Sequence, residues 1–158
     1  MKKNLDAYSE TLFHLINFRN RQFRDSRSMI EIDYESFIIV SSIGAHYLKH
    51  NTKQGSNWDN VWENTRAKKI GKIYSKKKLT IFAISLILDI PKETVRRKIE
   101  ILKKKKLVLY SSKLGLLPNE KIEDIMKPFA TAELISLAKF LQALKKHKVL
   151  DQLLTLKD

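Results

Sequence analysis

LTIFAISLILDIPKETVRRKIEILKKKKLV, Leu79 to Val108, carries two helical periods separated by a turn. Ile81, Ile84, Ser85 and Leu88 recur at helical spacing, which predicts a first helix over Leu79–Leu88 with an apolar face around one small residue. Asp89 tolerates a left-handed conformation, and Ile90 is an apolar plug for the gap between two helices. Pro91 suits a first helical position, where its missing N–H would have had no partner. Beyond it, Val95, Ile99 and Leu102 form the inner stripe of a second helix, and its other faces carry Lys92, Glu93, Thr94, Arg96, Arg97 and Lys98.

That polar set matches the edges of base pairs. Lysine and arginine donate to guanine O6 and N7, glutamate accepts from cytosine N4, and a helix fits the width of the major groove. Lys92 and Glu93 fall in the first turn, with Arg97 one turn further on. The spacing of four between Glu93 and Arg97 predicts an ion pair that orients the arginine. Thr94 is better placed for a phosphate, and Arg96 shares the outer face.

PKETVRRKIEILKKKKLV resembles the recognition helix of the cyclic-AMP receptor protein family, which reads Ser-Arg-Glu-Thr-Val-x-Arg before an apolar period and a turn into Leu-Val/Ile. The resemblance covers about 30 residues and implies a winged helix-turn-helix. It puts Lys92, Glu93 and Arg97 at base-contacting positions and Thr94 at a phosphate contact. The chain departs from the pattern at Asp89, Pro91, Lys92 and Lys106, and no cyclic-nucleotide roll precedes the motif. The order of helices, motif, hairpin and long terminal helix is similar to MarR-type regulators, although 51–78 is longer than the usual connection there.

Charge is concentrated where the motif lies. Residues 66–113 hold 16 Lys/Arg against 3 Asp/Glu, whereas 1–65 hold 8 against 8 and 114–158 hold 7 against 6. A basic module on a near-neutral scaffold is the footprint of a polyanion binder, and its coincidence with the motif favours nucleic acid over a merely solvated lysine face. At 158 residues and 43% hydrophobic, the chain is sized for a single domain. We expect a helical N-terminal scaffold over 1–65, the winged motif over 66–118 and C-terminal helices over 119–158. The absence of cysteine excludes disulfide and thiol chemistry. MKKN followed by a mixed segment does not read as a secretory leader, and no apolar run is long enough for a bilayer, so a cytoplasmic protein is expected.

From the N-terminus, Asn4 is expected to cap a helix to about Arg24 with an inward stripe of Leu5, Tyr8, Leu12, Leu15, Ile16 and Phe23. His14 and the arginines at 19, 21, 24 and 27 then fall on solvated surface. The acids of EIDYE, 31–35, read as a cap at Asp33 with Glu35 favoured by the helix dipole, in preference to a metal site. The helix that follows, to about His50, is expected to be buried, with Ser41, Gly44 and Ala45 allowing close packing. His46 and His50 lack a third ligand nearby and read as helix surface, so no metal or cofactor is expected. Trp58, Val61 and Trp62 are spaced as a short helix pinned to a core rather than as a base-stacking set.

Lys76, Lys77 and Lys78 precede the motif's first helix, which crosses the DNA backbone in such folds, so all three are candidate phosphate contacts. Strands at 107–110 and 114–117 predict a wing whose tip, Lys113, reaches phosphate or minor groove. Asn119 is expected to cap a short helix ending near Pro128, and Thr131 to cap a last helix whose Leu134, Leu137, Leu141 and Leu144 either pack on the chain's own core or, the reading preferred, form a dimer seam. With only four glycines, scattered acids and no phosphate-binding loop, no catalysis is expected. The fold expected is mainly α, a winged helix-turn-helix with flanking helices. The function expected is sequence-specific binding of double-stranded DNA by a homodimeric transcriptional regulator. The alternative is a winged-helix replication-initiation or nucleoid-organising protein.

Overall fold

Asp6, Asp33, Asn57 and Thr80 begin four helices by the same chemistry. In each, a short polar side chain accepts from backbone N–H groups that the first turn leaves open, at 2.8–3.0 Å. In this computed structural model the described residues are 6–51, 57–66 and 78–157. They form α1 (Ala7–Met29), α2 (Tyr34–Asn51), α3 (Trp58–Arg66), α4 (Ile81–Leu88), α5 (Lys92–Lys104), β1 (Val108–Ser111), β2 (Gly115–Pro118), α6 (Ile122–Lys146) and α7 (Leu150–Leu154). Among the described residues the protein is mainly helical with one small antiparallel sheet. Among the described residues, no helix is long and apolar enough to cross a membrane. Asp6, not Asn4, caps α1, which runs to Met29 rather than to about Arg24. Asn4, Lys76 and Lys77 lie outside the described residues.

Two compact units emerge, one over Ile32–Lys127 and one joining Met1–Glu31 to Pro128–Asp158. In the first, α2, α4, α5 and the hairpin share a core of Phe37, Ile39, Ile43, Ile84, Ile99 and Leu116, each at most 5% exposed. The expected cap at Asp33 is present, and Trp62 is buried with Trp58 set edge-on to it at 5.3 Å. The close approach expected at Gly44 is not made, since a Cβ there would meet nothing within 4 Å and Ala45 is exposed.

Three helix ends reverse the chain without glycine. Asp89, Lys106 and Lys148 have φ of 52°, 58° and 59°. In each case the next residue returns its N–H to a carbonyl five residues back. Ile90 reaches Ser85 at 3.1 Å, Leu107 reaches Leu102 at 3.0 Å, and Val149 reaches Leu144 at 3.0 Å. The left-handed residue turns the chain, and the apolar one after it closes over the last helical turn. Leu107 is consumed in this way, so the strands start one residue later than the alternation predicted, with Val108 opposite Pro118 and Ser111 opposite Gly115.

The hairpin has a third neighbour. The Leu79 carbonyl accepts from the Leu116 N–H at 2.8 Å, which docks the segment before α4 on β2. Gly115 makes this possible, because its φ is 76° and a Cβ there would fall on the Leu79 carbonyl oxygen. Gly115→Ala is expected to cost about 2–4 kcal/mol, combining a strained backbone with a displaced strand contact. Urea unfolding checks this, and a loss below about 0.5 kcal/mol would remove the steric argument.

Tyr47 of α2 is buried against Leu117 of β2. Burial pushes its phenol up to about 12. The unfolded chain releases that proton near pH 10 and the folded one resists, so the contribution is complete below pH 10 and fades as pH climbs to about 12. Tyr47→Phe should therefore move the alkaline unfolding midpoint upward in a pH titration followed by circular dichroism. An unmoved or lowered midpoint would assign alkaline unfolding to other groups.

In the second unit, α1 meets α6 through a face other than the one its apolar periodicity predicted. Phe18 stacks on Phe140 at 5.6 Å, Arg21 donates to Ser136 Oγ at 3.4 Å, and the Gln22 amide donates to Glu133. Of the predicted inward stripe, Leu5 lies outside the described residues and Leu15 is half-buried, whereas Tyr8, Leu12, Ile16 and Phe23 are 45–61% exposed. His14 and Arg21, expected on solvated surface, are half-buried, whereas Arg19, Arg24 and Arg27 are exposed as expected. The reason is geometric: residues 14, 18 and 21 lie on one helical line and 8, 12, 16 and 23 on another.

The C-terminal helices expected on either side of Pro128 are a single helix. Asn119 does accept from the Lys121 N–H at 2.9 Å, but α6 then runs unbroken through Pro128 and Thr131. An internal proline removes one backbone hydrogen bond, and Pro128 sits in α6 with the buried Phe129 beside it. Leu144 is buried, while Leu134, Leu137 and Leu141 of the expected seam are exposed.

Candidate nucleic-acid interface

Helix α5 is oriented by what its inner face buries. Val95, Ile99 and Leu102 are fully enclosed, so Arg96 and Arg97 between them turn outward. Lys92, Glu93, Arg96 and Arg97 are all exposed, and Thr94 is half-buried at the edge of the packed face. The turn before α5 holds the two helices in place. Asp89 adopts the left-handed conformation expected of it, and Ser85 uses its hydroxyl to donate to the Ile90 carbonyl at 2.7 Å. Pro91 is the cap rather than the first helical residue, which puts Lys92 at the start of the helix.

No side chain caps α5, so its first N–H groups and the positive end of its dipole face outward beside Lys92. An anion is stabilised at such an end. The Lys92 ammonium lies 6.0 Å from the centre of the Phe82 ring of α4, a cation–π distance that steers the lysine along the front of the motif. Nothing in the periodicity pointed to Phe82, which reads there as one more apolar residue.

The ion pairs differ from the spacing rule. Glu93 pairs with Arg96 at 3.2 Å, not with Arg97. Both i+3 and i+4 positions are in reach of a helical glutamate, and the i+3 arginine takes it here. Arg97 makes no ion pair among the described residues. Lys98 points the other way, its ammonium 2.7 Å from Asp33 and 3.4 Å from Glu35 at the start of α2. The Asp33 hydrogen bond raises the Lys98 pKa. Burial pushes the Asp33 carboxyl up, but bonds from Lys98 and the Ser36 N–H outweigh it and hold the carboxyl below its ordinary value. This clasp fixes α5 on α2 and withdraws one cation from the outer surface.

Lys78 and Lys113 come together at the hairpin turn. The Lys78 ammonium donates to the Ser112 carbonyl, next to Lys113 at the exposed tip. Lys78, two residues before the Thr80 cap of α4, thus also touches the hairpin turn. The outer side of α4 itself is apolar, with Phe82, Leu86 and Ile87 56–66% exposed. His46 and His50 have ring centres 4.5 Å apart, and no acid or histidine completes a three-ligand cluster with them among the described residues. No protein-family model, no curated protein and no solved structure matches the chain.

Proposed function

We propose that this chain is a winged helix-turn-helix protein that binds double-stranded DNA with sequence preference, acts as a homodimer and regulates transcription. The observation that carries the reading is the front of α5. Its inner residues are fully enclosed, while Lys92, Glu93 and Arg97 stand outward at the uncapped start of the helix. The order α2, Leu79 paired to β2, α4, α5, hairpin supports it, since a winged helix arranges its elements this way. In this reading the first two turns of α5 enter the major groove. Lys92 and Arg97 donate to base edges, Glu93 orients Arg96, and Thr94, Lys78 and Lys113 take phosphates.

Selection of bound duplexes from random DNA at two salt concentrations tests this. The expected result is a two-fold symmetric site with half-sites about one helical turn apart, bound with an affinity that falls steeply with salt. No enriched sequence at either salt would end the regulatory reading. A replication or nucleoid-organising role is the second reading. It is favoured by the apolar outer side of α4, which offers a place for another protein on the same DNA. Tight binding with little discrimination between sequences is its signature.

A further inference from the structure

Glu10 and His14 lie one turn apart on α1, and His147 follows the end of α6. The three side chains meet at one point. His14 Nε2 lies 3.1 Å from Glu10 Oε1, and His147 Nε2 lies 3.2 Å from the same oxygen. The imidazole centres are 5.5 Å apart, and all three donor atoms fall within 4.8 Å of one another. Glu10 and His14 are half-buried and His147 is exposed, so the cluster is held by packing but open to exchange with solvent.

We propose that Glu10, His14 and His147 form a binding site for a divalent transition metal of the zinc type. Two imidazoles and a carboxylate are a donor set that zinc takes with a fourth position left for water. Bonds of about 2.05 Å in a tetrahedron put neighbouring donors about 3.3 Å apart. The two separations, 3.1 and 3.2 Å, are close to that edge. Spacing on the helix explains why the first pair converges: residues four apart share a face, so Glu10 and His14 present their ligands side by side. His147 is then brought over them because α6 ends one residue earlier, at Lys146.

Such an ion cross-links the first helix of this unit to the end of its last long one. It is bound by the folded chain and not by the unfolded one, so it stabilises the helix pair. The proposal is independent of DNA binding, because none of its ligands belongs to the α4–α5 motif.

Tag-free full-length protein titrated with zinc should bind one ion per chain, with a rise of several degrees in unfolding temperature. Cobalt(II) in its place should give the intense visible bands of four-coordinate cobalt. Glu10→Gln and His147→Ala should each weaken binding by more than about 100-fold, beyond what loss of an outer-sphere partner does. His147→Cys is the decisive variant, since the chain has no cysteine of its own. It should keep the ion and add a thiolate-to-cobalt charge-transfer band in the near ultraviolet, a signal that a merely destabilised protein cannot produce. Absence of saturable zinc binding, weak six-coordinate cobalt bands, or a His147→Cys protein without the new band would each overturn the assignment.

Discussion

Lys92→Ala with Arg97→Ala is expected to leave the fold intact and to remove most of the preference for the selected DNA site. Both side chains are exposed and neither belongs to the core, so the unfolding temperature should stay within a degree or two. A good contact to a base edge discriminates by about 1–3 kcal/mol, and losing two amounts to at least about 30-fold in affinity for the selected sequence. Random DNA, held by phosphate contacts alone, should weaken far less and keep most of its salt dependence. Fluorescence anisotropy on both duplexes at two salt concentrations separates these effects. An equal loss on both would make Lys92 and Arg97 phosphate ligands and take the groove contact away from α5. Arg97→Ala alone should relax the preference at one or two base positions, because Arg97 has no ion pair of its own to fall back on among the described residues. Arg96 is already engaged by Glu93 at 3.2 Å.

The α4–α5 segment was legible because its signals are local. The periods of Ile81, Ile84 and Leu88 and of Val95, Ile99 and Leu102 each fit one short helix, and Asp89 could be assigned its left-handed turn from residue type. The same holds for the cap at Asp33 and for the hairpin, which slipped by one residue because Leu107 was taken up in closing α5. What failed was any inference that needed to know a partner. Amphipathicity identified the apolar stripe of α1 but could not say what it faces, and within this chain α1 turns Phe18 and Arg21 toward α6 instead. The choice of Arg96 over Arg97 by Glu93 is a matter of rotamers, which spacing does not decide. Lys98 looked like one more outward cation until α2 placed Asp33 and Glu35 beneath it. Glu10, His14 and His147 were invisible for the same reason: two of them share a turn, and the third is at the other end of the chain. Pro128 misled because a proline is usually a boundary, whereas here it lies inside a continuous helix.

If the proposed homodimer forms through this face, Leu137→Glu with Leu141→Glu is expected to convert it into a folded monomer. The second unit consists of α1, the part of α6 after Pro128, and α7. A pair of helices has two apolar stripes and too little chain to enclose both. The exposed residues bear this out: Tyr8, Leu12 and Ile16 on α1 and Leu134, Leu137 and Leu141 on α6 are 37–61% exposed. A second copy related by two-fold symmetry is the simplest cover, because each copy then supplies both the donor and the acceptor surface. Two glutamates on that face add charge that must be desolvated at the interface but remains in water in the monomer, so association should fall well beyond 100-fold while helicity is kept. Leu144→Glu is the contrasting variant: Leu144 is buried within the single chain, and its replacement should lower stability rather than association alone. Analytical ultracentrifugation at micromolar concentration reads the difference. The monomer should also lose the advantage of a paired site over a single half-site, since two recognition helices are no longer delivered together. A wild-type chain that sediments as a monomer, or a double variant that remains dimeric, would remove the seam from this face and require the symmetric binding site to be explained by another contact.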